Sequence, residues 1–213
     1  MSGRRAQLSA AEYVAAAVEY LGTHTLEEMT MRVLGDELGV DATALYRHFP
    51  SKDKLLDATV DWMLGEILGA LDRSLTDPRE FCTHGALTLR TVFARHPQIG
   101  LALMSGEGGQ GPHGAEYVRT MIDGLRGLGL AGRDLVVCYQ SFEGFILGSC
   151  LQDFLGAPRN FEIRRARWRG LELPEFDAEA GSADTVARVA DDAFRLGLDV
   201  LLDRCEAIAD RRR

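Results

Sequence analysis

The chain has 213 residues, which is enough for one or two domains with a sizeable core. With 46% hydrophobic and 26% charged residues the composition is that of an ordinary globular protein, and no stretch of about 20 residues lacks charge, which argues against a membrane-spanning helix. The formal net charge of −8 argues against indiscriminate binding to nucleic acids, so any DNA contact must rest on the placement of a few cations.

The N-terminal segment predicts a first helix and no targeting signal. Arg4 and Arg5 are not followed by an apolar run, so we expect no signal peptide, a cytoplasmic location and a free basic arm. Ser9 and Glu12 then have the spacing of a capping box, with serine at the N-cap and glutamate at N3. We expect a helix from this box to about Leu21, followed by a short connection.

A short amphipathic helix that ends in a tight turn comes next. The hydroxyl of Thr30 can accept a hydrogen bond from an unpaired backbone N–H at the helix start. Leu34 and Leu38, four residues apart, give the helix one apolar stripe. Gly39 follows where a left-handed conformation is needed, and Val40 is expected to be buried in the turn.

A second short helix follows the turn. Asp41 is a suitable N-cap, and Leu45 and Phe49 face inward at a spacing of four residues. The residues expected on the outer face are Thr43, Tyr46 and Arg47. Two short helices of this kind are how a protein places a helix in the major groove of DNA. The same pattern also occurs in folds that never touch DNA, so the pattern alone leaves both interpretations open.

Only helices are predicted for the remainder of the chain, because no segment alternates with the period of a strand. The predicted fold class is therefore all-α. After the stop at Pro50 we expect a helix that is capped by Ser51 and ends near Arg73, and then a helix from Pro78 that is stopped by His96-Pro97. A short segment Gln98–Met104 and a Gly-rich loop Ser105–Pro112 follow. The last expected segments are helices Ala115–Leu128 and Asp134–Leu155, an irregular stretch Gly156–Gly181, and a final helix from Ser182 to about Ala209.

The motif helices carry the string LGV-x-x-x-x-LYRHF-x-SK-x-x-LL, which resembles the N-terminal domain of the TetR family of transcriptional regulators. The close match covers about Ser9–Leu56, and the rest of the chain matches in outline. The resemblance implies a three-helix helix-turn-helix DNA-binding domain at residues 1–56 and a larger helical effector-binding and dimerisation domain at residues 57–213. It also implies a homodimeric repressor that binds a palindromic operator in double-stranded DNA and is released by a small-molecule effector.

Matching the family pattern position by position assigns six residues to the DNA contact: Arg32, Thr43, Tyr46, Arg47, His48 and Lys52. Arg47 is the candidate for a bidentate contact to guanine, and Thr43 for a contact to a base or a thymine methyl group. Tyr46, His48 and Lys52 are expected on phosphates. Asp41 departs from the pattern and would repel phosphate unless it is used as a cap. Gly35 also departs, and costs about 1 kcal/mol of helix stability against alanine while allowing close packing.

Two predicted helices have the properties of a dimerisation surface. The helix at residues 134–155 is apolar on nearly every side, which predicts burial all round, and the final helix carries a stripe of small and apolar residues. Two such helices form half of a four-helix bundle, and the resemblance implies that they make the dimer interface. Packing within one chain is the alternative. The candidate interface residues are Gly144, Gly148, Leu151, Ala190, Ala193, Gly197 and Val200.

Large apolar side chains and a few polar ones between the motif and the predicted bundle are candidates for lining an effector cavity. A filled core is the alternative at each single position. The candidates are Trp62, His84, Leu89, Met104, Met121, Gln140 and Phe142. These residues do not identify the molecule, so the effector is expected only as a small molecule of unknown identity.

Patterns of catalytic or metal chemistry are missing from the sequence, so we expect no enzyme, no metal and no cofactor. The Gly-rich segment follows no strand and lacks the Lys-Ser/Thr of a P-loop, and the five histidines show no metal spacing. The four cysteines are scattered and are expected to be reduced and buried. The basic cluster Arg164–Arg169 is interpreted as a solvated connection, with single-strand binding as the minority alternative. A helical dimeric interaction module without DNA binding remains the alternative function.

Overall fold

A computed structural model describes residues 8–106 and 108–211 of the chain. Over these ranges the chain forms eleven α-helices and no β-strand, which confirms the predicted all-α class. Arg4 and Arg5 of the expected basic arm lie outside the described residues. The helices are α1 (Ala10–Leu21), α2 (Met31–Leu38), α3 (Ala42–Tyr46), α4 (Lys52–Ala70), α5 (Pro78–Arg95), α6 (Pro97–Met104), α7 (Pro112–Gly127), α8 (Gly132–Phe154), α9 (Arg159–Arg169), α10 (Pro174–Glu179) and α11 (Ala183–Asp210).

The described chain divides into two compact units. The first unit contains the chain up to Leu68 together with Gln98–Glu116, and the second contains Gly69–Pro97 together with the chain from Tyr117 onward. Helices α1 to α3, most of α4, nearly all of α6 and the start of α7 therefore belong to the first unit. The predicted functional boundary after Leu56 falls inside α4 and stays a prediction.

Local capping explains where the first helix begins. The backbone N–H of Ser9 donates to Glu12 Oε2 at 2.7 Å, and the backbone N–H of Glu12 donates to Ser9 Oγ at 3.3 Å, so the predicted capping box is present. One face of α1 is buried, and the middle of α4 contributes the largest share of the core of the first unit. The buried side chains of these two helices include Tyr13, Ala17, Leu55, Leu56, Val60, Met63, Leu64 and Ile67.

A cluster of charges lies inside the second unit and joins three of its helices. Arg90 of α5 is 5% exposed, and its Nη2 contacts Asp153 Oδ2 of α8 at 2.9 Å and Asp191 Oδ1 of α11 at 2.6 Å. The rings of Phe154 and Phe194 each lie 4.6 Å from the guanidinium carbon. A buried cation is tolerated only with opposite charges or aromatic faces around it, so this cluster holds α5, α8 and α11 in one arrangement.

The stretch predicted to be irregular contains two helices, α9 and α10, so that prediction was wrong. Helix α9 has no apolar stripe, and Phe161 is its one buried side chain among the described residues. Hydrophobic periodicity, which is the main signal for a helix in a sequence, is therefore missing here. The Phe161 ring packs with Val186 and Ala190 of α11 in a small cluster of its own.

Polar contacts to other elements stabilise α9. Arg164 Nη2 contacts Asp153 Oδ1 at 2.9 Å, and both oxygens of this buried carboxylate are thus paired with guanidinium groups. The Nε atoms of Arg165 and Arg169 donate to the carbonyl oxygen of Ala180 at 3.2 Å and 3.1 Å. Three arginines of the basic cluster therefore brace the second unit, in place of the solvated connection expected from the sequence.

Candidate functional site

The turn between α2 and α3 has the geometry that the sequence predicts. Thr30 Oγ1 accepts a hydrogen bond from the N–H of Val33 at 3.1 Å, and Gly39 is left-handed with φ 63°. A Cβ atom on Gly35 would lie 3.0 Å from the carbonyl oxygen of Val40, so glycine at this position lets α2 approach the turn closely. Val40 itself is half-buried, which is less than expected.

Asp41 serves as the N-cap of α3. Its Oδ1 accepts a hydrogen bond from the N–H of Thr43 at 2.8 Å. Hydrogen bonds from the hydroxyl and the backbone N–H of Thr43 lower the pKa of the Asp41 carboxyl below its usual range, so it stays ionised at neutral pH. The departure from the family pattern at this position thus has a structural role, because the negative charge lies against the first turn of the helix.

Helix α3 presents a polar face to solvent. Leu45 is fully buried and Phe49 is 8% exposed, while Thr43 and Arg47 are exposed and Tyr46 is 51% exposed. The face therefore offers one guanidinium with its donor fork, one phenol and one hydroxyl on a short helix. These are groups that form hydrogen bonds to base edges and phosphates of DNA.

His48 does not share the exposure of its neighbours. Its side chain is half-buried, with the ring 5.3 Å from that of Tyr13 between centroids, and among the described residues Nε2 is buried without a hydrogen-bond partner. Only part of this side chain faces solvent. The predicted phosphate contact of His48 stays a prediction, and it would use the remaining edge of the ring.

The two cations that flank α3 differ in their surroundings. Arg32 on α2 is well exposed, and its Nε lies 4.0 Å from the carboxylate of Asp36 in a surface pair. Lys52, at the start of α4, is half-buried, and its Nζ donates to the carbonyl oxygen of Leu26 at 2.7 Å. The ammonium group of Lys52 therefore connects α4 to the segment between α1 and α2, which the sequence did not indicate.

The candidate ligand-binding residues are divided between the units. Trp62 and Met104 lie in the first unit and are partly exposed, at 39% and 36%. Leu89, Met121 and Phe142 lie in the second unit and are buried, whereas Gln140 is exposed. The structure thus places the seven candidates in more than one environment, including His84, which lines a groove in the second unit.

Two grooves in the second unit are lined by side chains from the middle and the end of α5. One, of about 250 Å³, is lined by His84, Thr88 and other side chains of α5, and the Nε2 atom of His84 accepts a hydrogen bond from the N–H of Asp72 at 3.0 Å. The other, of about 410 Å³, is lined by Arg90, Arg195 and the rings that cover Arg90. The larger volume is at the small end of those that hold drug-sized ligands, and the smaller one lies below that range.

Helices α8 and α11 each have an apolar face that the described residues leave uncovered. Val136 and Val137 of α8 and Leu196 and Val200 of α11 are exposed, with Val200 at 60%. A Cβ atom on Gly144 or Gly148 would meet no atom within 4 Å. Helix α8 is therefore not buried all round within one chain, in contrast to the expectation from its composition.

The other candidate interface residues are divided by the structure. Ala193 is exposed on the same side of α11 as Val200, and Leu151 is half-buried. Gly197 serves contact within the chain, because a Cβ atom there would lie 2.6 Å from the ring of Phe145. Ala190 is buried in the cluster with Phe161, so it packs on α9 rather than facing outward.

The cysteines of the chain lie in its interior. All four cysteines are free and buried. Burial raises the pKa of Cys82, Cys150 and Cys205 to about 12. The thiolate is the reactive form, so the thiols of Cys82, Cys150 and Cys205 are poor nucleophiles at neutral pH. No described helix is long and apolar enough to cross a membrane, and no cluster of three metal-ligating residues occurs in the described ranges.

Two family models match the chain. Residues 14–59 match the model described as bacterial regulatory proteins, tetR family, and residues 75–208 match the tetracyclin repressor-like C-terminal domain. The chain is 31% identical over 209 residues to the tetracycline repressor protein class A from transposon 1721 of Escherichia coli, covering 93% of this chain and 89% of the relative. It is 24% identical over 222 residues to the transcriptional repressor DrrR1 of Streptomyces coeruleorubidus, covering 99% and 82%.

Solved structures with the same fold include ActR of Streptomyces coelicolor in complex with actinorhodin, with a TM-score of 0.76 at 23% identity over 95% of this chain and 98% of that one. BioQ with its double-stranded DNA operator has a TM-score of 0.67 at 24% identity over 94% of this chain and 99% of that one. At these identities the likeness shows a shared fold.

Proposed function

The chain belongs to the tetR family of bacterial regulatory proteins, and we propose that it is a ligand-responsive repressor that binds a palindromic operator as a homodimer. Members of this family are transcriptional regulators and not enzymes. Such a regulator acts where the chromosome is, in the bacterial cytoplasm. The functional division proposed with it is a DNA-binding domain at residues 1–56 and an effector-binding and dimerisation domain at residues 57–213.

The observation that carries the proposal is the outward face of α3. Thr43, Tyr46 and Arg47 are exposed on a helix that is capped by Asp41 and anchored by the buried Leu45. In helix-turn-helix proteins the second helix lies in the major groove with its base-reading side chains outward. We assign Arg47 to a bidentate contact with guanine O6 and N7, and Thr43 to a base edge or a thymine methyl group.

Phosphate contacts come from the residues around this face. Tyr46 and Arg32 are exposed and can reach the DNA backbone. Lys52 already donates one hydrogen bond within the chain and the ring of His48 packs beside Tyr13, so each would contact a phosphate through the part of its side chain that still faces solvent. With a net charge of −8 over the chain, few phosphates are neutralised per subunit. We therefore expect a modest dependence of operator affinity on salt.

Dimerisation supports this function because one motif of this size reads only a few base pairs. The uncovered faces of α8 and α11, with Gly144, Gly148, Ala193 and Val200, are the proposed interface between two copies. A two-fold dimer places two reading helices about 34–36 Å apart or a multiple of this, so the operator has two half-sites.

The proposed switch is a shift between two arrangements of the dimer. An effector bound in the C-terminal domain favours an arrangement whose reading helices are mis-spaced for the operator, and it can do so only by its differential affinity. Residues 51–73, which include α4, join the reading helix to that domain. The names of the tetracycline repressor relative and of the actinorhodin complex support a small organic molecule as the class of effector.

The experiment is a selection of genomic DNA fragments by the purified full chain, followed by footprinting of the enriched fragments. We expect enrichment of one or a few short sites, each made of two half-sites that form an inverted repeat. A helical interaction module, the alternative from another class, would retain the dimer and enrich no sequence. Enrichment of fragments without a shared inverted repeat contradicts the proposal.

A further inference from the structure

A segment between α5 and α7 belongs to the first unit although the chain on either side of it belongs to the second. We call it the strap, and its described residues are Gln98–Gly106 and Gly108–Gly114. The chain passes between the two units at three places: within α4, at the junction of Pro97 with the strap, and within α7. The strap lies between the last two, so the chain joins the units on both sides of the strap as well as within α4.

The first attachment of the strap is made at Leu26, between α1 and α2. The N–H of Leu26 donates to Gln98 Oε1 at 2.9 Å, and its carbonyl oxygen accepts from Lys52 Nζ at 2.7 Å. Both hydrogen bonds are partly buried, where such bonds contribute more than at the surface. Gln98, Leu26 and Lys52 thus form a hydrogen-bonded chain that ends two residues after Pro50, close behind α2 and α3, which together we call the reading motif.

The second attachment is made by two carboxylates one turn apart on α4. Asp57 Oδ1 accepts from the N–H of Gln110 at 3.2 Å. Asp61 Oδ1 accepts from the N–H groups of His113 and Gly114 at 2.9 Å and 3.1 Å, and Asp61 Oδ2 lies 2.9 Å from His113 Nδ1. The N–H groups of His113 and Gly114 belong to the first turn of α7, where backbone N–H groups have no partner within the helix, so Asp61 of α4 supplies the cap of α7.

The glycines of the strap are explained by this attachment. A Cβ atom on Gly108 would lie 2.6 Å from the side chain of Val60, one on Gly111 would collide with the Asp61 carboxylate, and one on Gly114 with the carbonyl oxygen of Gly109. The backbone must therefore lie directly on α4 for its N–H groups to reach the carboxylates. The Gly-rich stretch expected to be a plain connection has a packing requirement at three of its positions.

We propose that the strap positions the reading motif, and that Gln98, acting through Leu26 and Lys52, and the pair Asp57 and Asp61 are its positioning residues. This inference rests on the proposed function. The attachments hold the segment between α1 and α2, the start of α4 and the start of α7 as one assembly, so the reading helix is preorganised for the operator.

The test uses the dimer of the 213-residue chain and the operator obtained by fragment selection, with Gln98→Leu and Gln98→Glu as a matched pair. Leucine removes the acceptor for the Leu26 N–H at similar size, and glutamate keeps it. We expect Gln98→Leu to weaken operator binding about 3- to 10-fold, which corresponds to one lost hydrogen bond, and Gln98→Glu to bind at least as tightly as the parent chain. Asp61→Leu should weaken binding as well, while Asp123→Leu, an exposed carboxylate of α7 outside the strap, should not.

Thermal unfolding of each variant separates positioning from stability. A residue with a structural role alone would lower the unfolding temperature in Gln98→Leu and leave the operator affinity of the folded dimer unchanged, and that result overturns the inference. Equal losses in Gln98→Leu and Gln98→Glu overturn it too. The operator affinity of Arg47→Ala is measured in the same experiment. If Arg47→Ala also binds like the parent chain, the proposed function fails. If only Arg47→Ala loses affinity, the positioning role of the strap is rejected and the proposed function stands.

Discussion

Adjacent side chains of α3 reach different environments because a helix turns about 100° per residue. Leu45 is buried, Tyr46 and Arg47 point to solvent, and His48 turns partly back toward Tyr13. The first three positions follow from the inward spacing of apolar residues and are predictable from the sequence. The position of His48 is not, because its ring rests on a residue of α1 that is thirty-five positions away in the chain.

The buried pair of Arg90 and Asp153 gives a stability prediction at this scale. We expect Asp153→Ala to lower the free energy of unfolding by about 3–5 kcal/mol, because two guanidinium groups lose their common buried partner. Asp191→Ala is the matched control: its carboxylate also contacts Arg90 but is 60% exposed, so the loss should stay below about 1 kcal/mol. Urea unfolding at fixed protein concentration measures both, and equal losses would contradict the interpretation.

At the scale of single elements, the turn after α2 depends on a backbone conformation. Gly39 has φ 63°, which costs an L-residue about 1 kcal/mol or more, so Gly39→Ala should destabilise the protein by roughly that amount. Gly69, exposed near the end of α4, has no atom within 4 Å of a Cβ position. Gly69→Ala should therefore stabilise the protein by about 0.5–1 kcal/mol. Thermal unfolding measures the unfolding temperature of both variants. If both temperatures shift in the same direction from that of the parent chain, this interpretation is wrong.

Element boundaries were predictable where the signal is local and missed where it is not. Ser9, Thr30, Asp41 and Ser182 each accept a hydrogen bond from the first turn of the helix they were predicted to cap. Helices α9 and α10 were missed, because α9 is stabilised by ion pairs and by hydrogen bonds to residues distant in sequence, and neither leaves a periodic pattern. The strap was missed for the same reason: its glycines are explained only by the surface of α4.

At the scale of the whole molecule, the proposed interface on α8 and α11 implies that one charged substitution in each copy weakens the dimer. Val200→Glu places a carboxylate in the proposed interface of each copy. Because the interface is two-fold symmetric, two carboxylates lose water when one dimer forms. We expect the dissociation constant of the dimer to rise at least about tenfold. Ile163→Glu, an equally exposed apolar residue on α9, should leave the dimer intact. Analytical ultracentrifugation measures the dissociation constant of the dimer for both variants. If the Ile163 variant dissociates and the Val200 variant does not, the interface is not formed by these faces of α8 and α11.

The candidate site residues differ in how far the sequence predicts their surroundings. The outward face of α3 follows from helical periodicity, so Arg47 was expected at the accessible position where it lies. The uncovered face of α8 did not follow, because the composition of that helix predicted burial on every side. The effector candidates were chosen by size and polarity alone, and they are distributed over both units. Size and polarity do not encode which side chains line a common cavity, because that depends on how helices distant in sequence pack.

The most direct test of the central claim, that the outward face of α3 reads DNA, is an operator titration with Arg47→Ala. The account predicts a loss of about 1–3 kcal/mol per half-site and relaxed preference at one base pair of each half-site, while Arg188→Ala, on the exposed side of α11, binds like the parent chain. An Arg47→Ala protein that is folded, dimeric and unchanged in both affinity and footprint would contradict it.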